Sequence, residues 1–271
     1  MIDFIVEAFT TNLIKTLLNL ALLPIAVAFS TNIKSIFWRF INFFKTLGKD
    51  IVLIWVDDED YVGNNIAEAL HARNNHYHFI ALKKATDILH YRLSKKRIAM
   101  VMFFITDVSK ITPETAKGEK IQEKILKYVK KGGYFLGSHD ALYRRVNLEK
   151  FQSAFGCKIT EFSKQTNPVH YKIAAAYKNH PLTEGLPLDT PMLIEDNEIC
   201  WGDWDDTVEQ VLYTDLNRKK IPLFTYKPYS KGKLFWINAG DKTDQGTSMS
   251  LRKPDTHILR ILCNALNYER K

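Results

Sequence analysis

From residue 50 onward the chain alternates short apolar runs with amphipathic stretches. Asp50–Val56 (DIVLIWV), His78–Leu82 (HFIAL), Arg97–Ile105 (RIAMVMFFI) and Tyr134–Gly137 (YFLG) are brief, nearly continuous apolar runs closed by polar residues. That is the pattern of strands buried on both faces of a parallel sheet. Between them the spacing changes to helical. Asn64–Asn74 carries Ile66, Ala69 and Leu70 on one face, Ala85–Arg92 reads as a short helix, and a longer one enters at Thr112-Pro113-Glu114, runs to Lys131 and stops at Gly132-Gly133. Strands alternating with helices specify a parallel sheet with right-handed crossovers. After Cys157 the texture shifts. Val169–Ala175, Glu209–Thr214, Pro222–Tyr226 and Leu234–Ala239 read as strands, with a polar hairpin-like loop at Asp215–Lys220, and His257–Tyr268 is a closing amphipathic helix. This half is expected to extend the same sheet, so residues 49–271 form one expected domain.

Residues 1–48 differ. No charge occurs from Thr16 to Ile33, and a helix of that length rises about 27 Å, enough for a thin hydrocarbon layer. Pro24 in its middle is tolerated in a membrane span. Ile33, Ile36, Phe37, Phe40, Ile41, Phe44 and Leu47 then give one apolar face, with Lys34, Arg39, Lys45 and Lys49 as its charges. Three readings stand side by side: a span followed by an interfacial helix (membrane contact through residues 13–47, main domain on the cytoplasmic side), a helical pair packed against the domain or a sister subunit, and a signal peptide ending near Ala26-Val27-Ala28, which Asp3 and Glu7 disfavour.

Composition narrows the partners. Three cysteines (Cys157, Cys200, Cys263) at wide spacing exclude a disulfide framework, give no zinc-type pairing and fit a reducing compartment. The net charge of +8 favours acidic partners such as phosphates, nucleotides or anionic lipid. Its basic runs (Lys95-Lys96-Arg97, Lys130-Lys131, Arg218-Lys219-Lys220) are scattered and unaccompanied by a nucleic-acid motif, so nucleic acid is not an expected partner. No cofactor and no metal site is legible.

Several ordered segments resemble the trehalose-utilisation (ThuA-like) family. They are Tyr128-Val129 with Gly132 to His139, the turn His180-Pro181-Leu182-Thr183-Glu184-Gly185-Leu186-Pro187, the pair Asn197-Glu198, and Pro228-Tyr229 with Lys231-Gly232-Lys233-Leu234-Phe235. At Ala239-Gly240-Asp241 the family's usual histidine is missing. The resemblance covers roughly Asp50 to Tyr268. It implies a class I glutamine-amidotransferase-like superfamily fold: an α/β, flavodoxin-like three-layer domain with a mostly parallel sheet, here preceded by the N-terminal hydrophobic helical arm. In amidotransferase relatives a nucleophilic cysteine occupies the turn after the strand equivalent to Tyr134–Gly137. Here His139 stands in that place, which disfavours an amidotransferase reaction, and no G-x-S-x-G elbow replaces it.

Ligands of open α/β sheets sit beyond the carboxyl ends of the strands. Four such ends carry polar groups: Asp57-Asp58, Thr106-Asp107, Ser138-His139-Asp140 and Asn238 to Asp241. His139 is the candidate acid or base with Asp140 as its orienting partner. Ser138, Tyr143, Arg144 and Arg145 follow as ligand contacts, the guanidinium groups suiting phosphate or carboxylate. Asp57 and Asp58 are candidates for Mg²⁺ or a ribose hydroxyl, or simply cap the next helix. Asp107, Glu198, Asn238 and Asp241 complete the ligand set, with His170 weaker, and Trp201–Asp206 reads as an aromatic, acidic loop. Three functions follow. The leading one is a membrane-associated ThuA-like domain that binds a small polar sugar, nucleotide or anion without amidotransferase activity. The second is an enzyme acting on a carbohydrate or nucleotide-sugar through His139. The third is a non-catalytic scaffold, a homo-oligomer assembled through the N-terminal helices.

Overall fold

The computed structural model describes residues 50–57, 60–105, 116–145, 148–196, 198–216, 218–240, 242–243, 246–247 and 249–268. The expected arm over 1–48 lies outside them. Strands β1 (Asp50–Val56), β2 (Tyr77–Leu82), β3 (Ile98–Phe104) and β4 (Tyr134–Ser138) lie in one nine-stranded sheet with β6 (Val169–Ile173), β7 (Met192–Ile194), β9 (Glu209–Leu216), β10 (Lys219–Tyr229) and β11 (Gly232–Ile237), in the order β2-β1-β3-β4-β11-β10-β9-β6-β7. A separate antiparallel ribbon pairs β5 (Cys157–Lys164) with β8 (Glu198–Trp204).

The expectation of a mostly parallel sheet is corrected. The pairs β1–β2, β1–β3, β3–β4 and β4–β11 are parallel, but β10–β11, β9–β10, β6–β9 and β6–β7 are antiparallel. The sheet is mixed. For β9–β10 and β10–β11 the reason is connection length: Leu216 to Lys219 and Tyr229 to Gly232 are tight turns, and only a crossover of a dozen residues or so returns a strand parallel to its predecessor. Arg218 (φ 64°) and Ser230 (φ 55°) take the left-handed conformation these turns require.

Both faces of the parallel half are covered, and strict alternation builds two cores. Val52, Ile54 and Val56 of β1 pack with Val62, Ile66 and Leu70 of α1 (Asp60–His71) and Ile258, Leu262 and Leu266 of α5 (Thr256–Asn267). Ile51, Leu53 and Trp55 face the other way, onto Ile121, Ile125 and Val129 of α2 (Ala116–Lys130) and Phe151 and Phe155 of α3 (Glu149–Phe155). Asp255 caps α5 by accepting from the amides of His257 (2.6 Å) and Ile258 (3.2 Å). A one-turn helix α4 (Met249–Arg252) precedes it.

The membrane reading is also corrected. Among the described residues no helix is long and apolar enough to cross a membrane. The longest, α2, has 15 residues, spans about 22 Å, and is rich in lysine and glutamate. The residues 13–47 on which membrane contact rested lie outside the described part. A transmembrane helix, membrane partnership and attachment to an inner membrane face are therefore not carried forward.

Candidate active site

The parallel topology brings the carboxyl ends of β1, β3, β4 and β11 to one edge, where Val56 pairs Phe104, Phe103 pairs Gly137, and Ser138 pairs Ile237. His139 begins a 3-10 turn (His139–Leu142) directly after β4. The turn is held from β3 and β11. The Ile105 amide donates to Ser138 Oγ (3.0 Å), the Asp140 amide donates to the Ile105 carbonyl (3.1 Å), and Trp236 Nε1 donates to the His139 carbonyl (3.3 Å). Ser138 is thus occupied as a staple between strands.

The imidazole is 1% exposed. Its Nδ1 lies 3.0 Å from Asp140 Oδ1, and its Nε2 lies 4.0 Å from Glu198 Oε1. Glu198 comes from β8, and Cys200, two residues on, shares its strand face and meets the same imidazole. Asn238, fully buried at the end of β11, fixes Cys200. Its Oδ1 accepts from the Cys200 amide (3.2 Å) and thiol (3.3 Å), while its Nδ2 donates to the carbonyls of Cys200 (2.8 Å) and Pro222 (3.0 Å). Beside them Asp196 Oδ2 accepts from the Gly240 amide and the Ser250 hydroxyl, both at 2.9 Å. The buried Tyr171 hydroxyl, which has no hydrogen-bond partner among the described residues, faces Asp196 and Cys200.

Electrostatics in this pocket of the fold separates the groups. Burial works against a charged His139, but Cys200 and Asp140 outweigh it and hold the imidazole pKa well above the ordinary histidine value. Burial raises the Glu198 carboxyl, with the imidazole opposing. Burial likewise pushes the Cys200 thiol up, with the imidazole opposing. The arrangement is a proton-bearing imidazole clamped at one nitrogen by a carboxylate, with a second, half-buried carboxyl opposite the other nitrogen. It can give or take a proton at Nε2, the nitrogen that Glu198 faces.

The remaining expected residues distribute unevenly. Asp57 is buried at the same edge, its amide donating to the Phe104 carbonyl (3.2 Å), two strands from His139 and so about 10 Å away. Asp58, Asp107 and Asp241 lie outside the described residues. Tyr143 is buried and bridges to Ile159. Arg144 and Arg145 are exposed past the turn. Arg144 contributes its amide to the Ile159 carbonyl (2.9 Å), and Arg145 lies over the Tyr143 ring at 5.9 Å. Among the described residues neither pairs with His139, Asp140 or Glu198. His170 is exposed on β6. The expected loop at Trp201–Asp206 begins within β8, with Trp204 packed on Trp236 at 5.1 Å. Cys200, Asp196 and Tyr171 were absent from the sequence-based set. The signal available for Cys200 was its i, i+2 spacing from Glu198, which puts both on one strand face. Among the described residues no group of three or more His, Cys, Asp or Glu is arranged to hold a metal ion.

The family profile described as ThuA, Trehalose utilisation, matches residues 51–268. The chain belongs to the ThuA family. No curated protein matches it. A ThuA-like protein from Parabacteroides merdae is 12% identical, with a TM-score of 0.56 covering 81% of this chain and 89% of that one. One from Bacteroides uniformis is 14% identical, with a TM-score of 0.53 covering 80% and 89%. The β-galactosidase of Bacillus circulans sp. alkalophilus, at 12% identity and a TM-score of 0.54, shares the fold over 82% of this ThuA chain but only 31% of its own. These likenesses establish the fold. The leading expectation, a membrane-associated module that only binds, is corrected: its membrane premise has no described helix to rest on, and it is not carried forward.

Proposed function

We propose that this ThuA-family protein is an enzyme acting on a carbohydrate or nucleotide-sugar, with His139 as the acid/base and Asp140 as its partner. The observation that carries the reading is the 3.0 Å contact between His139 Nδ1 and Asp140 Oδ1 at the carboxyl edge of the sheet. A carboxylate at Nδ1 fixes the ring and leaves Nε2 to exchange the proton. Glu198 faces that nitrogen and supplies a second carboxyl, whose pKa burial raises. The fold shared with part of a β-galactosidase supports a sugar as substrate.

The finer family placement is part of this proposal. Helices on both faces of the sheet support a flavodoxin-like, glutamine-amidotransferase-like relationship, with His139 on the turn where those relatives carry cysteine. Amidotransfer is not included, because the nearby thiol, Cys200, comes from a different strand and is buried. We also read residues 49–271 as one domain and 1–48 as a separate segment.

The test is turnover by the full chain. Purified protein is incubated with trehalose, nitrophenyl glycosides, nucleotide-diphosphate sugars and a polar metabolite extract, and products are followed by mass spectrometry. His139→Ala should abolish every conversion while retaining the wild-type circular dichroism spectrum and a cooperative unfolding transition. Unchanged conversion in that variant overturns the assignment.

A further inference from the structure

A second cleft of about 500 Å³ opens between the end of α1, the turn at Pro181–Thr183 and α5. It lies at the opposite edge of the sheet from His139. Arg73 and Asn74 follow α1 where the chain returns to start β2, and the Tyr268 carbonyl on its wall accepts from the hydroxyl of Tyr134, the first residue of β4. His139 follows the last residue of that strand, about 13 Å further along.

Two guanidinium groups, Arg73 and Arg260, line this cleft. Among the described residues neither forms an ion pair with a carboxylate; Arg73 makes only a long contact to the Ala69 carbonyl (3.4 Å). Both stand close enough to Cys263 to act on its thiol electrostatically, so their charges converge on the same wall. The wall itself is rigid. Asn74 Nδ2 donates to Cys263 Sγ (2.9 Å), Asn267 Nδ2 to Asn74 Oδ1 (3.0 Å), Tyr77 Oη to Asn267 Oδ1 (3.1 Å), and Asn264 Nδ2 to the carbonyls of Leu182 (3.1 Å) and Glu184 (2.9 Å). Arg260 is positioned by close approach. Gly185 has φ +73°, and a Cβ there would stand 3.3 Å from Arg260 Cζ, so the guanidinium lies against a turn that has no side chain. One carboxylate, Glu184, also borders the cleft.

Two converging guanidinium groups without carboxylate partners, in a pre-formed space of ligand size, have the chemistry of an oxyanion receptor. We propose that this cleft is a binding site for a small doubly charged oxyanion, a phosphomonoester or dicarboxylate, held between Arg73 and Arg260 and separate from the His139 site. The amide-lined wall and the apolar faces of Pro181 and Tyr268 leave room for an organic body attached to the anion.

Calorimetric titration of the full chain with inorganic phosphate, glucose 6-phosphate and succinate tests this. At least one probe should bind saturably at one site per chain, more weakly as salt rises. Arg73→Gln and Arg260→Gln should each weaken it about tenfold, the loss expected for one charge-assisted contact. Glu184→Gln should tighten it. Lys96→Gln removes the same charge from an exposed loop elsewhere and should leave affinity unchanged, as should His139→Ala. Preference for glucose 6-phosphate identifies the phosphomonoester class, and preference for succinate the dicarboxylate class. Absence of saturable binding by all three probes, or equal affinities in wild type and both arginine variants, overturns the proposal. Weakening by His139→Ala to the same extent as by the arginine variants also overturns it, by moving the anion to the other edge.

Discussion

His139 Nδ1 and Asp140 Oδ1 meet at 3.0 Å although the residues are chain neighbours. Adjacent side chains on a regular strand point to opposite faces. The contact exists because β4 ends at Ser138 and the chain bends at once into a 3-10 turn. The site is therefore a product of strand termination: the chain just past β3 holds the turn by a backbone bond and β11 holds it by the Trp236 indole, and β8 brings Glu198 and Cys200 to the far side of the ring.

Removing the carboxylate tests that relationship without a substrate. Asp140 favours the imidazolium by charge and by hydrogen bond. Asp140→Asn keeps an acceptor but loses the charge, and should lower the pH of half-protonation of His139, the direction in which losing one close opposite charge acts. Histidine ring signals followed by NMR through a pH titration, with His139→Ala supplying the assignment, measure it. An unchanged titration curve would show that Asp140 does not hold the proton.

Alkaline pH should weaken the fold. Burial raises the Cys157 and Cys200 thiols and the Tyr171 phenol above their ordinary values. A group whose pKa is higher in the folded state stabilises it fully below the unfolded value and loses that contribution as pH rises toward the folded one. The decline should begin near the unfolded thiol value of about 8.5 and steepen near the phenol value of about 10. Urea midpoints between pH 7 and 10.5 should fall, and Cys157→Ser should flatten the first part of the fall. Midpoints constant over that range would refute the account.

How legible each part was follows from what its residues bury. Strands β1, β3 and β4 are buried throughout, so both faces must be apolar and the runs stand out. The expected helix starting at Asn64 begins four residues earlier, at Asp60, and the expected strand ending at Gly137 runs to Ser138, the second a shift of the size strand ends commonly show. In β5 only alternate positions near the start are buried, and its segment CKITEFSK carries three charges. In β8 a glycine and two acidic residues interrupt the segment EICWGDW. These two strands pair with each other and not with the main sheet, so neither has the composition of a core strand, and with β8 went Cys200. The His139 end was readable because a strand signal stops on polar residues. The Cys200 side was not, because its role depends on a register between ribbon and sheet that no local pattern encodes.

That register makes Gly202 a sensitive position. It pairs with Ile159 across the ribbon, and a Cβ there would stand 2.1 Å from the Lys158 carbonyl oxygen. The obstacle is backbone, so it moves only if β5 and β8 separate. Gly202→Ala should cost about 1 to 3 kcal/mol by overpacking, and should perturb the His139 ring signals because Glu198 and Cys200 ride on the displaced strand. Destabilisation with wild-type His139 signals would show that the ribbon end and the site are mechanically independent.

Asn238 is the strongest structural test of the site's frame. Its amide satisfies the carbonyls of Cys200 and Pro222 and accepts from the Cys200 amide and thiol, all in a fully buried position. One side chain thus ties β8 to β10 from the end of β11. Asn238→Ala leaves two buried carbonyls without that donor and one buried amide without that acceptor. Each such loss costs about 1 to 3 kcal/mol, and partial relaxation or an entering water recovers some of it, so a net loss of about 2 to 4 kcal/mol is expected. Asn238→Asp keeps the acceptor but removes the donor and buries a charge, so it should be at least as damaging. Urea denaturation at constant slope measures the loss in both. If Asn238→Ala unfolds at the wild-type midpoint, Cys200 is held by the ribbon alone, and the thiol beside His139 owes its position to strand pairing and not to the amide at the end of β11.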